Sequence, residues 1–186
     1  REGLTVKRRL RRRSPPSSAP FADCAAANDV WCIDFKGWFL TGDGTHCEPL
    51  TLADAASRYL LRCQALGRCD AEHVWPVLDA SFREFGLPDR IRTDNGVPFA
   101  TVSLARLSSL SAWWIQLGIL PELIEPGKPQ QNGRHERMHR TLKAETTRPA
   151  AGNLKAQQRK FNAFRQEYNH IRPHEALKLE TPSSVY

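Results

Sequence analysis

Apolar and polar positions change period several times along the chain, and each change marks an element. Over residues 30–39 they alternate. Trp31, Ile33, Phe35 and Phe39 fall on one face, and Cys32, Asp34, Lys36 and Trp38 on the other. This predicts a strand. Thr41-Gly42-Asp43-Gly44 has hairpin-turn chemistry. Residues 46–52 and 58–66 then complete an antiparallel meander. Over 70–85 the period becomes helical, with Val74, Val77, Leu78 and Phe82 on one stripe, an acidic start, and Gly86 and Pro88 as the stop. A short strand is predicted at 90–93, ending at Asp94-Asn95-Gly96. A helix follows over 101–117, closed by Gly118, and a fifth strand over 119–124. Residues 125–133 (EPGKPQQNG) form a loop of Pro, Gly and amides. A helix runs from 134 to about 147, and residues 149–153 break it. A last helix spans 154–170, with Leu154, Gln158, Phe161, Phe164 and Tyr168 as its stripe. A meander followed by alternating helices and strands describes an α/β chain: a five-stranded mixed sheet with helices on both faces.

The margins differ from this interior. Residues 1–13 (REGLTVKRRLRRR) look like the end of a helix or a basic tail, and the Ser/Pro composition of 14–28 reads as a linker. The folded domain is expected over 29–172, with 173–186 as a C-terminal tail. Hydrophobic residues make up 40% of the chain, enough for a core. No stretch approaches the roughly 20 apolar residues of a membrane span, and no secretory signal is visible. The expected setting is therefore soluble and cytoplasmic. The five cysteines show no C-x-x-C spacing, which argues for buried, reduced thiols and against a disulfide framework or zinc knuckle.

Charge adds a second layer. Residues 1–13 carry net +6, residues 14–126 carry −6, and residues 127–172 carry +8. An acidic middle between basic ends suits two tasks, holding cations and lying along a polyanion.

Three acids stand at unusual positions. Asp34 lies inside a strand, where acids have poor propensity. Asp94 ends a strand, and Glu136 opens a helix after the loop. Converging carboxylates raise one another's pKa unless cations neutralise them. Oxygen ligands with open positions suit Mg²⁺, and two such ions about 3.5–4 Å apart serve phosphoryl transfer. On the helix, Arg140 and Lys143 lie within about 40° of Glu136, with Met138 and Leu142 roughly opposite. That places two cations where DNA phosphates would lie.

The same segment contains a rival motif. His135-Glu136-Arg137-Met138-His139 matches H-E-x-x-H, in which two histidines hold zinc and the acid acts as base. No third ligand follows at metzincin spacing, and the motif leaves Asp34 and Asp94 unexplained. His139 is therefore expected at the surface or beside a phosphate. Asp54 is expected to accept turn hydrogen bonds, and Trp113 and Trp114 to join the core.

Four segments taken in order carry a family resemblance. They are Trp31 to Lys36 (WCIDFK), Thr93 to Phe99 (TDNGVPF), Lys128 to Lys143 (KPQQNGRHERMHRTLK), and Tyr168 to Leu177 (YNHIRPHEAL) with Thr181-Pro182. Together they resemble the DDE-type catalytic core of bacterial insertion-sequence transposases, which share the integrase core with retroviruses. The resemblance implies an RNase H-like fold. It implies a metal triad of Asp34, Asp94 and Glu136 holding two Mg²⁺ ions, with Mn²⁺ as a substitute. DNA contacts would fall to Arg140, Lys143, Lys128, Arg134, Arg137, His139 and Asn95. Gly127, Gln130, Gln131, Asn132 and Gly133 would belong to a mobile active-site loop. The reaction implied is phosphodiester cleavage at an element's end, then attack of the freed 3′-hydroxyl on target DNA. The partner is double-stranded DNA, bound by a homo-oligomer. End recognition would belong to an upstream DNA-binding region of which residues 1–13 are the remnant. One departure is the spacing: 41 residues separate Asp94 from Glu136, where many relatives have about 35. A catalytically silent DNA-binding derivative of the same family is the alternative to an enzyme.

Overall fold

The computed structural model describes residues 24–101, 107–124 and 133–186. Among these, six strands form one mixed sheet: β1 (Val30–Phe35), β2 (Phe39–Leu40), β3 (His46–Asp54), β4 (Leu60–Leu66), β5 (Arg90–Thr93) and β6 (Leu120–Leu123). β3 pairs antiparallel with β1, β2 and β4, and β5 and β6 continue in parallel beyond β1. The helices are α1 (Ala71–Phe85), α2 (Ser109–Gln116), α3 (Gly133–Thr146), α4 (Leu154–His170) and a short α5 (Pro182–Val185).

The sheet has six strands and not five because the strand expected over 30–39 is cut in two. Both halves pair with β3. Four steps of chain from Phe35 to Phe39 span the three steps from Leu50 to Cys47 on β3. The extra residue makes a bulge, and Gly37 takes the positive φ of +80° within it. Helix α2 also starts later than its period suggests. Ser108 caps it, accepting from the Ser111 N–H while the Ser111 hydroxyl accepts from the Ser108 N–H. Ala100 and Leu107 bridge as strands do, and residues 102–106 lie outside the described residues. Local capping chemistry overrides the apolar pattern here.

The sheet is covered on both faces, as the alternation requires. Trp31 and Ile33 of β1, Leu50 and Leu52 of β3, and Ile91 of β5 pack with Val74, Leu78 and Phe82 of α1 and with Leu110 and Trp114 of α2. Trp113 is half-buried and stacks on Trp75 at 4.0 Å. The opposite face, with Cys47, Leu60 and Cys63, receives Met138 and Leu142 of α3 and Phe161, Phe164 and Tyr168 of α4. Burying a residue of this size contributes on the order of 2 kcal/mol. The thiols of Cys32, Cys47 and Cys63 are buried, and none of the five cysteines is in a disulfide.

The C-terminal segments hold these layers together. Asn169 donates to the Leu60 carbonyl at 3.0 Å and accepts from the Leu60 N–H at 2.8 Å, so it completes the edge of β4 as a strand would. Arg172 joins α3 to α4 through Glu145 (2.9 Å) and Glu167 (2.8 Å). The terminal Tyr186 stacks on Tyr59 at 4.6 Å, and its hydroxyl bonds the Asn28 side chain at 2.9 Å. Asp54 accepts from the Asn28 and Ser57 N–H groups and from the Ser57 hydroxyl. Residues 24–28, of linker-like composition, and the 173–186 tail are thus both tied to the sheet. No helix among the described residues is long and apolar enough to cross a membrane.

Candidate active site

Strands β1 and β5 are parallel neighbours, with Cys32 opposite Arg92. Two residues further along each, Asp34 and Asp94 come side by side at the carboxyl ends. Such a crevice is where α/β sheets bind ligands. The Asp94 carboxylate folds back to accept from the Gly96 N–H at 3.1 Å. A Cβ on residue 96 would stand 3.1 Å from Asp94 Oδ2, so glycine leaves the space the carboxylate fills. The Asn95 amide donates to the Ile124 carbonyl at 2.8 Å, and Ile124 N–H donates to the Thr93 carbonyl at 3.0 Å. Asn95, expected to contact DNA, therefore anchors the end of β6, where the 125–132 segment departs.

Glu136 comes to the same place on the first turn of α3. Its nearness is felt at Asp34, whose pKa is pushed up from 3.8 to about 7. Burial contributes most, the Asp94 charge next, and Glu136 adds to both, against the lowering pull of the Phe35 N–H and of Lys36. Among the described residues, the one group of three potential metal ligands with donor atoms all within 4.8 Å is a different one: Asp34, His135 and His139. The Asp34, Asp94 and Glu136 set does not meet that 4.8 Å limit.

An open groove of about 600 Å³ runs along two of these acids, and Asp94 is not in its lining. Asp34 and Glu136 line it together with four cations: Lys36, Arg140, Lys143 and Arg148. Arg140 and Lys143 stand where helical geometry puts them. Lys36 and Arg148 were not among the expected site residues. The signal for Lys36 was present, since it is two residues from Asp34 on the same strand face. Arg148 lies beyond the end of α3, where helical periodicity carries no information. Arg137 is exposed but does not line the groove. Gly127, Lys128, Gln130, Gln131 and Asn132, and the side chain of Arg134, lie outside the described residues, and Gly133 opens α3.

His139 lines the groove, yet it is buried and not at the surface. It is 3% exposed, and His135 beside it is 4% exposed. Helix arithmetic explains this. Relative to Glu136, Met138, Leu142, His135 and His139 occupy a continuous arc of about 200–300°. The two histidines flank the apolar stripe that docks on the sheet. Both imidazole Nε2 atoms lie 2.6 Å from the Thr51 hydroxyl, which is wholly buried. Burial lowers the His135 pKa to about 4. It lowers His139 further, with the neighbouring His135 and Lys36 adding to the effect. Both rings are neutral at pH 7, so neither offers a phosphate positive charge. The zinc motif does find a possible third ligand in Asp34, but its imidazole Nε2 atoms already face Thr51, which leaves only Nδ1 of each ring for a cation.

Comparison with known proteins identifies the fold and the family. The integrase core domain model matches residues 25–129, and a second model of the same description matches residues 117–182. An insertion element IS407 protein of Burkholderia multivorans is 31% identical over 183 residues, covering 97% of this chain and 64% of that protein. The chain therefore spans less than two thirds of that relative. A chain of the simian T-cell lymphotropic virus intasome in complex with PP2A regulatory subunit B56 gamma superposes with a TM-score of 0.70 at 18% identity, over 86% of this chain and 54% of that one. The HTLV-2 integrase catalytic core domain, solved in complex with magnesium, gives 0.65 at 14% identity, over 86% and 97%. These likenesses establish the RNase H-like fold of integrase catalytic cores, and with the family match they place the chain in the integrase core domain family, as a transposase/integrase core.

Proposed function

We propose that this chain is the catalytic core of a DNA transposase that uses Asp34, Asp94 and Glu136 to hold two divalent cations. The observation that carries the reading is the state of Asp34: half-buried and pushed up to about 7 by burial, Asp94 and Glu136, beside a groove of cations. A cluster of carboxylates with this repulsion is relieved by a hard cation, and an all-oxygen donor set suits Mg²⁺, with Mn²⁺ as a substitute. When bound, the ions would supply Lewis-acid activation of the attacking oxygen and stabilise the leaving one.

The chain's own residues do the rest. β1 and β5 set Asp34 and Asp94 at neighbouring strand ends, and α3 carries Glu136 to the groove that Asp34 lines. Lys36, Arg140, Lys143 and Arg148 hold phosphates of double-stranded DNA along the groove, which fixes the scissile bond relative to the acids. No side chain here need form a covalent intermediate. Water attacks at the element's end, and the freed 3′-hydroxyl then attacks target DNA in line. Element end and target must both be present, which fits a homo-oligomer on DNA.

The test is a cleavage assay with Mg²⁺ on DNA bearing an element end. Asp34→Asn, Asp94→Asn and Glu136→Gln each abolish cleavage while DNA binding persists. Wild-type cleavage in any of the three rejects that residue's role. Absence of cleavage by an intact, DNA-bound wild type favours a silent DNA-binding derivative.

A further inference from the structure

The hydrogen bonding of Thr51 assigns the H-E-x-x-H histidines a task other than zinc. Thr51 lies directly opposite Asp34 in the β1–β3 register, so the two side chains share the sheet face covered by α3. Its hydroxyl has three neighbours: the Asp34 carbonyl at 3.1 Å, His135 Nε2 at 2.6 Å and His139 Nε2 at 2.6 Å. A hydroxyl has one hydrogen and two lone pairs. The carbonyl can only accept, so the hydrogen goes there. Both imidazoles must then donate, which fixes each with its proton on Nε2. His139 Nδ1 lies 3.8 Å from Asp34 Oδ2, beyond hydrogen-bond reach, so this ring does not occupy the carboxylate.

We propose that Thr51, His135 and His139 are positioning residues that set the separation of Asp34 and Glu136. Thr51 holds the backbone of Asp34. The two histidines belong to the turn of α3 that carries Glu136. One buried hydroxyl therefore joins the strand bearing the first acid to the helix bearing the third. The rings stand edge to face with centroids 4.6 Å apart, so neither can rotate without disturbing the other. The arrangement resembles the outer hydrogen bonds that orient metal ligands, whose loss costs about 10–100-fold in affinity.

This inference rests on the metal reading above, and two measurements separate them. In ¹⁵N NMR of the metal-free protein, both histidines show the Nε2–H tautomer; an Nδ1–H form for either overturns the arrangement. In calorimetric Mn²⁺ titration of the full chain, Thr51→Val binds at least tenfold more weakly, while Thr51→Ser stays within about twofold. Circular dichroism confirms that the variants compared are folded. If Asp34→Asn abolishes binding but Thr51→Val does not change it, positioning by Thr51 is wrong and the triad stands. If Asp34→Asn binds like wild type, the triad itself fails. Zn²⁺ that binds Asp94→Asn as tightly as wild type but is lost in His139→Asn makes the histidines ligands and overturns the proposal.

Discussion

With its carboxyl raised to about 7, metal-free Asp34 keeps a proton through the window between 3.8 and neutrality in which an unfolded aspartate has lost it. The folded state binds more protons there, so the stability this group contributes is full below 3.8 and is lost as pH rises through about 7. Between pH 5 and pH 8 the metal-free wild type should lose melting temperature relative to Asp34→Asn; parallel curves would contradict the raised value. Cation binding must expel that proton. Calorimetry in buffers of different ionisation enthalpy should find close to one proton released at pH 6 and far less at pH 8.5. Gly96 poses a separate question at this scale. Its φ is not positive, so alanine strains only the Asp94 carboxylate at 3.1 Å. Gly96→Ala is expected to weaken Mn²⁺ binding by ~10-fold while the melting temperature hardly moves. Unchanged affinity would mean that the carboxylate tolerates the shift.

Helix α3 divides its circumference between two solvents. Its buried arc, with Met138, Leu142, His135 and His139, faces the sheet, and its exposed arc carries Glu136, Arg140 and Lys143. If the groove holds a DNA strand, Lys36→Ala, Lys143→Ala and Arg148→Ala should each reduce the salt dependence of binding by about one phosphate contact. Arg137→Ala, off the groove, should leave the slope alone. Equal slopes for all four would remove the groove as the DNA track. Helix α4 makes a different contribution. Asn169→Leu leaves both the N–H and carbonyl of Leu60 without partners at a buried edge, a cost of about 3 kcal/mol. Denaturant unfolding measures it directly.

Taken as a whole, the molecule is a two-faced sheet whose charged end is assembled from parts distant in sequence. Any cation that binds the folded state alone adds stability, about 2.7 kcal/mol at a hundredfold excess over its dissociation constant. Mg²⁺ or Mn²⁺ should therefore raise the melting temperature of wild type and not of Asp34→Asn. A rise of equal size in both would place the cation elsewhere. The fourth motif, from Tyr168 to Leu177, acts at this scale too. Asn169 and Arg172 tie α4 to β4 and α3, and Tyr168 packs edge-on against His174. These residues hold the layers that carry the site.

Much of this was legible in one dimension. Alternation placed Asp34 on the sheet face opposite Trp31 and Ile33, turn residues ended β5 at Asp94, and helical spacing aligned Arg140 and Lys143 with Glu136. Each follows from a period or a cap that local chemistry enforces. The bulge at Gly37, the capped start of α2, the groove positions of Lys36 and Arg148, and the burial of the two histidines were decided elsewhere. Thr51 and His135 are 84 residues apart and bond only because α3 docks on this face of the sheet. A period tells which residues share a face, but not what that face will meet; that depends on how the layers pack.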